Sequence, residues 1–232
     1  MTTWDNSNFT QYIKPPGAYP EGWDLPQYLN TLLYRIGVLP YQGGYGAQPQ
    51  RYYLLDMFCG KGRCCTCIEP MLYHGVDING GAIDMARTAH PHYSFSRIDA
   101  EAVSKWYAHC VLLWTALTML DDAEALTFLR KIDARYIIIG DICGRIWRNP
   151  GGAGHPPIYN REFTDVIDMA VQAGYSLMIH EQQPHEHYSG NAMWAGRDTS
   201  IHTFVFQRAD DWQFYREAHG KVQSGKGEPC QM

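Results

Sequence analysis

Asp56, Gly60, Gly62 and Asp77 stand at spacings that suit the holding of a nucleotide. The apolar pair Leu54 and Leu55 runs into Asp56 and a glycine-rich turn, and about twenty residues on a second apolar stretch closes on Gly75, Val76 and Asp77. A carboxylate at the end of a strand can accept both hydroxyls of a ribose. Glycines let the backbone pass close to a ligand where a Cβ would collide. The dinucleotide fingerprint GxGxxG is not met, because Cys65 stands where its third glycine would be, which argues against a nicotinamide cofactor.

A second set of reactive side chains lies further along. His155 sits in the loop GGAGHPP, and His180, Glu181, His185, Glu186 and His187 follow one another in IHEQQPHEHY. Any of these histidines could act as a general base; in a polar connection they could equally be solvated. The spacing HxxxxHxH matches no established zinc signature, so no metal site is expected. The seven cysteines are odd in number, and Cys64, Cys65 and Cys67 crowd into one predicted short helix. Together with Cys59 they read as buried, reduced thiols and not as a disulfide framework.

These groups need elements to position them. Leu54 and Leu55 read as a buried parallel strand ending at Asp56, and Gly81 to His90 places Ala82, Ile83, Ala86 and Ala89 on one helical face. Tyr93 to Ile98 alternates into a third strand ending at Asp99, Cys110 to Leu113 is an apolar fourth, and Tyr136 to Gly140 is a central fifth ending at Asp141. Asp121 with Glu124 marks a helix start, followed by the stripe Ala125, Phe128, Leu129 and Ile132. Asn160 can cap a helix carrying Phe163, Val166, Ile167 and Ala170, which Gly174 stops. Two last strands, Tyr175 to His180 and Ile201 to Arg208, have no helix pattern between them, so an antiparallel ending is expected.

The order strand, DMFCGKGR, short helix, strand, GVDI resembles the first glycine motif and the following acidic motif of class I S-adenosylmethionine-dependent methyltransferases. The resemblance covers residues 51–209 and implies an α/β fold: a doubly wound, Rossmann-like sheet of seven strands whose last strand is antiparallel. It implies S-adenosylmethionine as cofactor, with Asp56, Cys59, Gly60 and Gly62 beneath the methionine moiety, and Asp77 with the adjoining Ile78 at the ribose. Asp99 and the amide of Ala100 would meet the adenine, and the carbonyl at Trp114 the cofactor's ammonium. Thr115, Asp141 and Tyr12 are candidate acceptor-binding residues, and His155 and His180 candidate bases. Phe58 stands in place of the usual first glycine, the helix after Gly62 is short, and His109 replaces an aspartate that often opens the fourth strand.

The 232 residues, 45% hydrophobic and 13% aromatic, suit one catalytic domain with a single elaboration. Residues 1–50 form an aromatic and proline-rich preface, with a helix expected over Leu25 to Ile36 and a loop from Gln42 to Gln50. This preface is expected to act as a lid, and residues 210–232 are a polar tail. A net charge of −5 and no basic stripe disfavour nucleic acid as substrate. No run of about eighteen apolar residues and no basic-then-apolar amino terminus is present, so a cytoplasmic protein without membrane span is expected. The expected activity is methyl transfer to oxygen or nitrogen of a small molecule, mainly by alignment. The alternatives are a nucleic-acid or protein methyltransferase, and a non-catalytic binding protein of the same fold.

Overall fold

The computed structural model describes residues 24–37, 52–100, 102–144, 147–149, 157–183 and 199–210. Strands β1 (Tyr52–Met57), β2 (Tyr73–Asp77), β3 (Ser94–Arg97), β4 (Trp106–Trp114), β5 (Ile132–Gly144), β8 (Tyr175–Gln183) and β9 (Thr199–Arg208) form one sheet. Its order is β3-β2-β1-β4-β5-β9-β8. The first five strands are parallel, and β9 enters antiparallel between β5 and β8. This is the doubly wound sheet with an antiparallel last strand that the motifs imply. A small ribbon of β6 (Trp147–Asn149) and β7 (Ile158–Asn160) lies between β5 and the last helix.

Alternate residues of the central strands serve two cores, because side chains of a strand point to opposite faces in turn. On one face Leu54, Leu112 and Ile138 pack with α1 (Leu25–Arg35) and with Ile83 and Ala86 of α2 (Gly80–Ala89). On the other, Leu55, Val111, Leu113, Ile137 and Phe204 meet α3 (Asp122–Arg130) and α4 (Phe163–Gln172). Strands β4 and β5 are covered on both sides, which is why they read as unbroken apolar runs. Helix α1 starts at Asp24, whose carboxylate accepts the Gln27 amide, and buries Leu25, Leu29, Leu32 and Leu33. At about 1.5 to 3 kcal/mol per buried leucine, that face is enough to hold the helix on the sheet.

Several local expectations are corrected. Between Gly62 and Asp77 there is no α-helix, only 3-10 turns at Cys65–Cys67 and Pro70–Leu72, because Pro70 interrupts a segment already too short for a stable helix. The cysteines are nonetheless buried and free. Asn160 belongs to β7, and α4 starts after Glu162, whose amide donates to Asp165 at 3.0 Å. Ile132 opens β5 and does not close α3, since the helix ends at Arg130. Ala89 lies on the exposed last turn of α2. The box at Asp121 and Glu124 does cap α3, each side chain meeting the other's backbone amide at 2.8 and 3.0 Å. Among the described residues no helix is long and apolar enough to cross a membrane.

Candidate functional site

The loop after β1 is a tight turn made by three left-handed residues, Phe58 at φ 59°, Gly60 at 55° and Gly62 at 77°. Phe58 thus holds a left-handed conformation that favours glycine, and its ring is held edge-on to Phe128 at 5.3 Å. A Cβ on Gly62 would lie 2.7 Å from the Phe95 ring, so the turn needs glycine for space as well as for backbone. Asp77 is tied into this turn: one carboxylate oxygen accepts the Gly60 amide at 2.9 Å and the other the Asn79 amide at 2.9 Å. Burial raises the Asp77 pKa while these amides oppose the rise. Asn79 in turn caps α2 by accepting the Ala82 amide at 3.1 Å.

Asp56 points inward. It is 1% exposed and accepts the Tyr73 hydroxyl at 2.5 Å. Burial pushes its pKa up to about 7 against the pull of Tyr73 and Arg63. Cys59 is buried, with its thiol pKa raised by burial and by the two aspartates. Its backbone amide extends the β1–β2 ladder to Val76 at 3.1 Å. Ile78 is half-buried, and its carbonyl accepts Arg97 Nε at 3.1 Å. Asp99 is exposed beyond β3, and Ala100 packs against the second core.

Arg63, which directly follows the glycine turn, joins it to the end of β4. Its Nη2 donates to the Trp114 carbonyl at 3.0 Å and to the Thr115 hydroxyl. A guanidinium therefore faces the position where the resemblance puts the amino-acid end of a cofactor. The Trp114 ring is 2% exposed and lies over Gly140, where a Cβ would sit 2.1 Å from it. Tyr28 of α1 meets that ring edge-on at 6.4 Å. Thr115 is half-buried and left-handed at φ 55°.

Asp141 is buried inside β5, which runs on to Gly144 instead of ending at Asp141, and it accepts the Thr118 amide at 3.1 Å and the Ile142 amide at 2.8 Å, pinning the turn after β4. Arg161, 2% exposed, braces the same turn through the Leu117 carbonyl at 2.8 Å, the Leu120 carbonyl at 2.6 Å and Asp122 at 2.8 Å. No sequence signal marks this arginine, because its partners lie on other elements.

His180 is exposed, and its Nε2 lies 2.7 Å from Nδ1 of buried His202. His202 Nε2 is 2.8 Å from Ser200 Oγ, which also accepts Gln182 Nε2 at 2.9 Å. Burial and the neighbouring ring push His202 down to about 4, and burial lowers His180 as well. The available signal was parity: Ser200 and His202 share the strand face of Phe204 and Phe206, an otherwise apolar set. Tyr12, His155, His185, Glu186 and His187 lie outside the described residues. Among the described residues no group of three or more His, Cys, Asp or Glu side chains is arranged to hold a metal ion.

No protein family and no curated protein matches the sequence. Solved structures do match the fold. Magnesium protoporphyrin IX methyltransferase from Synechocystis PCC 6803, with bound S-adenosylmethionine, superposes with a TM-score of 0.57 at 14% identity, over 88% of this chain and 92% of that one. A SAM-dependent methyltransferase from Methanosarcina mazei gives 0.53 at 14% identity, over 67% of this chain and 91% of that one. LepI in complex with SAM gives 0.51 at 16%, over 78% of this chain and 46% of that one. The chain has the class I methyltransferase fold.

Proposed function

We propose that this chain is an S-adenosylmethionine-dependent methyltransferase acting on oxygen or nitrogen of a small molecule. The observation that carries the reading is the joining of Asp77 to the Gly60 amide inside a left-handed turn at the carboxyl edge of a class I sheet. The residues fit such a cofactor: the turn presents backbone in place of side chains, and Asp77 stands at the rim with Ile78. Cys59, Gly60 and Gly62 would line the methionine half, with Asp56 holding the turn from below. Asp99 and Ala100 would meet the adenine, and Arg63 would turn from the Trp114 carbonyl to the amino-acid carboxylate, which frees that carbonyl for the cofactor's ammonium. Bound there, the cofactor would supply a methyl group already activated by a sulfonium, so the chain's task is alignment and exclusion of water.

Thr115, Asp141 and Tyr12 would face the acceptor, with His155 or His180 taking its proton, and residues 1–50 would close over the site. A net charge of −5 favours a small acceptor over nucleic acid, and a cytoplasmic location fits reduced cysteines. Calorimetry with S-adenosylmethionine and S-adenosylhomocysteine tests the cofactor, followed by a metabolite screen with radiolabelled cofactor. A folded chain that binds neither ligand overturns the reading.

A further inference from the structure

Gln182, Ser200, His202 and His180 form a continuous line of hydrogen bonds across β8 and β9, at 2.9, 2.8 and 2.7 Å. Gln182 closes one end by donating to Ser200, and Ser200 pairs with Cys143 near the end of β5, at the carboxyl edge of the sheet. The other end is His180, exposed to solvent, while Ser200 and His202 are 8% and 5% exposed. The rings cannot drift apart. Phe163 stacks on His180 at 5.1 Å and on His202 at 5.6 Å, and Phe204 stacks on His180 at 4.8 Å.

The donors and acceptors give this line a direction. Gln182 Nε2 can only donate, so the Ser200 hydrogen remains available to His202. A neutral imidazole has one donor and one acceptor nitrogen, so Ser200 can donate to His202 Nε2 while His202 Nδ1 donates to His180 Nε2, or the whole pattern can reverse. Reversal moves a proton from one end to the other. The buried middle ring, pushed down to about 4, does not retain that proton at neutral pH.

We propose that Ser200, His202 and His180 are a proton path from the carboxyl edge of the sheet to solvent, and that it takes the proton of a hydroxyl acceptor as that oxygen is methylated. The proposal rests on the methyltransferase reading and narrows it to hydroxyl acceptors, since a neutral amine attacks with a free lone pair and needs no such path. The acceptor O–H bond breaks and its hydrogen passes to Ser200 Oγ, as the Ser200 hydrogen passes to His202 Nε2 and the His202 Nδ1 hydrogen to His180 Nε2. The freed oxygen pair forms the bond to the methyl carbon while the carbon–sulfur pair returns to sulfur. His180, now an imidazolium, releases its Nδ1 proton to water. Ser200 touches the acceptor; His202 and His180 act through it.

The experiment uses the full chain with radiolabelled S-adenosylmethionine, catechol and phenol as hydroxyl probes, and 4-nitrothiophenol as a probe already ionised at neutral pH. Ser200→Ala and His180→Ala should slow hydroxyl methylation by about a hundredfold or more and thiol methylation far less. Ser200→Thr should recover part of the rate, and added imidazole should rescue His180→Ala, which a purely structural role would not allow. Histidine-labelled nitrogen NMR of the chain with S-adenosylhomocysteine should show both rings neutral at pH 7, and Ser200→Ala should shift the His180 nitrogens as well as those of His202. Equal slowing of both probe types, a doubly protonated His180, or a chain that binds cofactor yet methylates no hydroxyl probe overturns the proposal. A chain that binds no cofactor by calorimetry overturns the methyltransferase reading with it.

Discussion

Along the β1 and β2 part of the carboxyl edge, polar contacts are made by main-chain amides: Gly60 and Asn79 on Asp77, and Cys59 on the Val76 carbonyl. Along the β8 and β9 part they are made between side chains, Gln182, Ser200, His202 and His180. A main-chain cradle tolerates no Cβ at Gly62 but is indifferent to most neighbouring side chains. A side-chain line depends on the identity of each member. The first arrangement suits a ligand shared across a fold, and the second suits chemistry particular to one acceptor.

Gly62→Val attacks the main-chain half directly. A positive φ and a contact of 2.7 Å with Phe95 both resist it, so a loss of about 3 kcal/mol or more in denaturant unfolding is expected, with cofactor binding lost. An equally stable variant would show that the turn is not built around glycine. Asp77→Ala removes the acid alone, and calorimetry should find S-adenosylmethionine weakened by about 2 to 4 kcal/mol, the worth of two charge-assisted hydrogen bonds. Parental affinity in a folded variant would displace the ribose from β2.

The two halves also titrate in opposite senses. The folded chain keeps a proton on Asp56 between its ordinary 3.8 and about 7, so stability falls as pH rises through that window. His202 has lost a proton between about 4 and its ordinary 6.5 that the unfolded chain still binds, so its contribution rises with pH there. Asp56→Asn should therefore remove the decline and leave the rise, a change on the order of 4 kcal/mol across the window. Urea midpoints at steps of pH decide it; a profile identical to the parent's would mean that Asp56 ionises normally. The smallest effect is expected where α1 reaches β8. Glu181 accepts from Tyr28 at 2.8 Å and pairs with Arg35 at 2.5 Å, both partly exposed, so Glu181→Gln should cost under about 1 kcal/mol. A larger loss would make this contact a principal anchor of α1.

Local pattern was enough for whatever depends on neighbours in the chain. The strand end at Asp77, the glycine turn before it, the cap at Asp121 and the stop at Gly174 are all determined within a few residues, and all were legible, while β1 runs past Asp56 to Met57. The antiparallel ending was legible too, because no crossover helix pattern separates the last two strands. The 3-10 turns at Cys65–Cys67 and Pro70–Leu72 were not, since cysteine burial fits a helix or a turn equally well. Arg63 on Trp114 and Thr115, Arg161 between the turn after β4 and α3, and the line from Gln182 to His180 were decided by tertiary structure alone. Each depends on pairing between segments far apart in the chain, and pairing register, which sets which side chains meet across a sheet, is fixed by the packing of both faces at once.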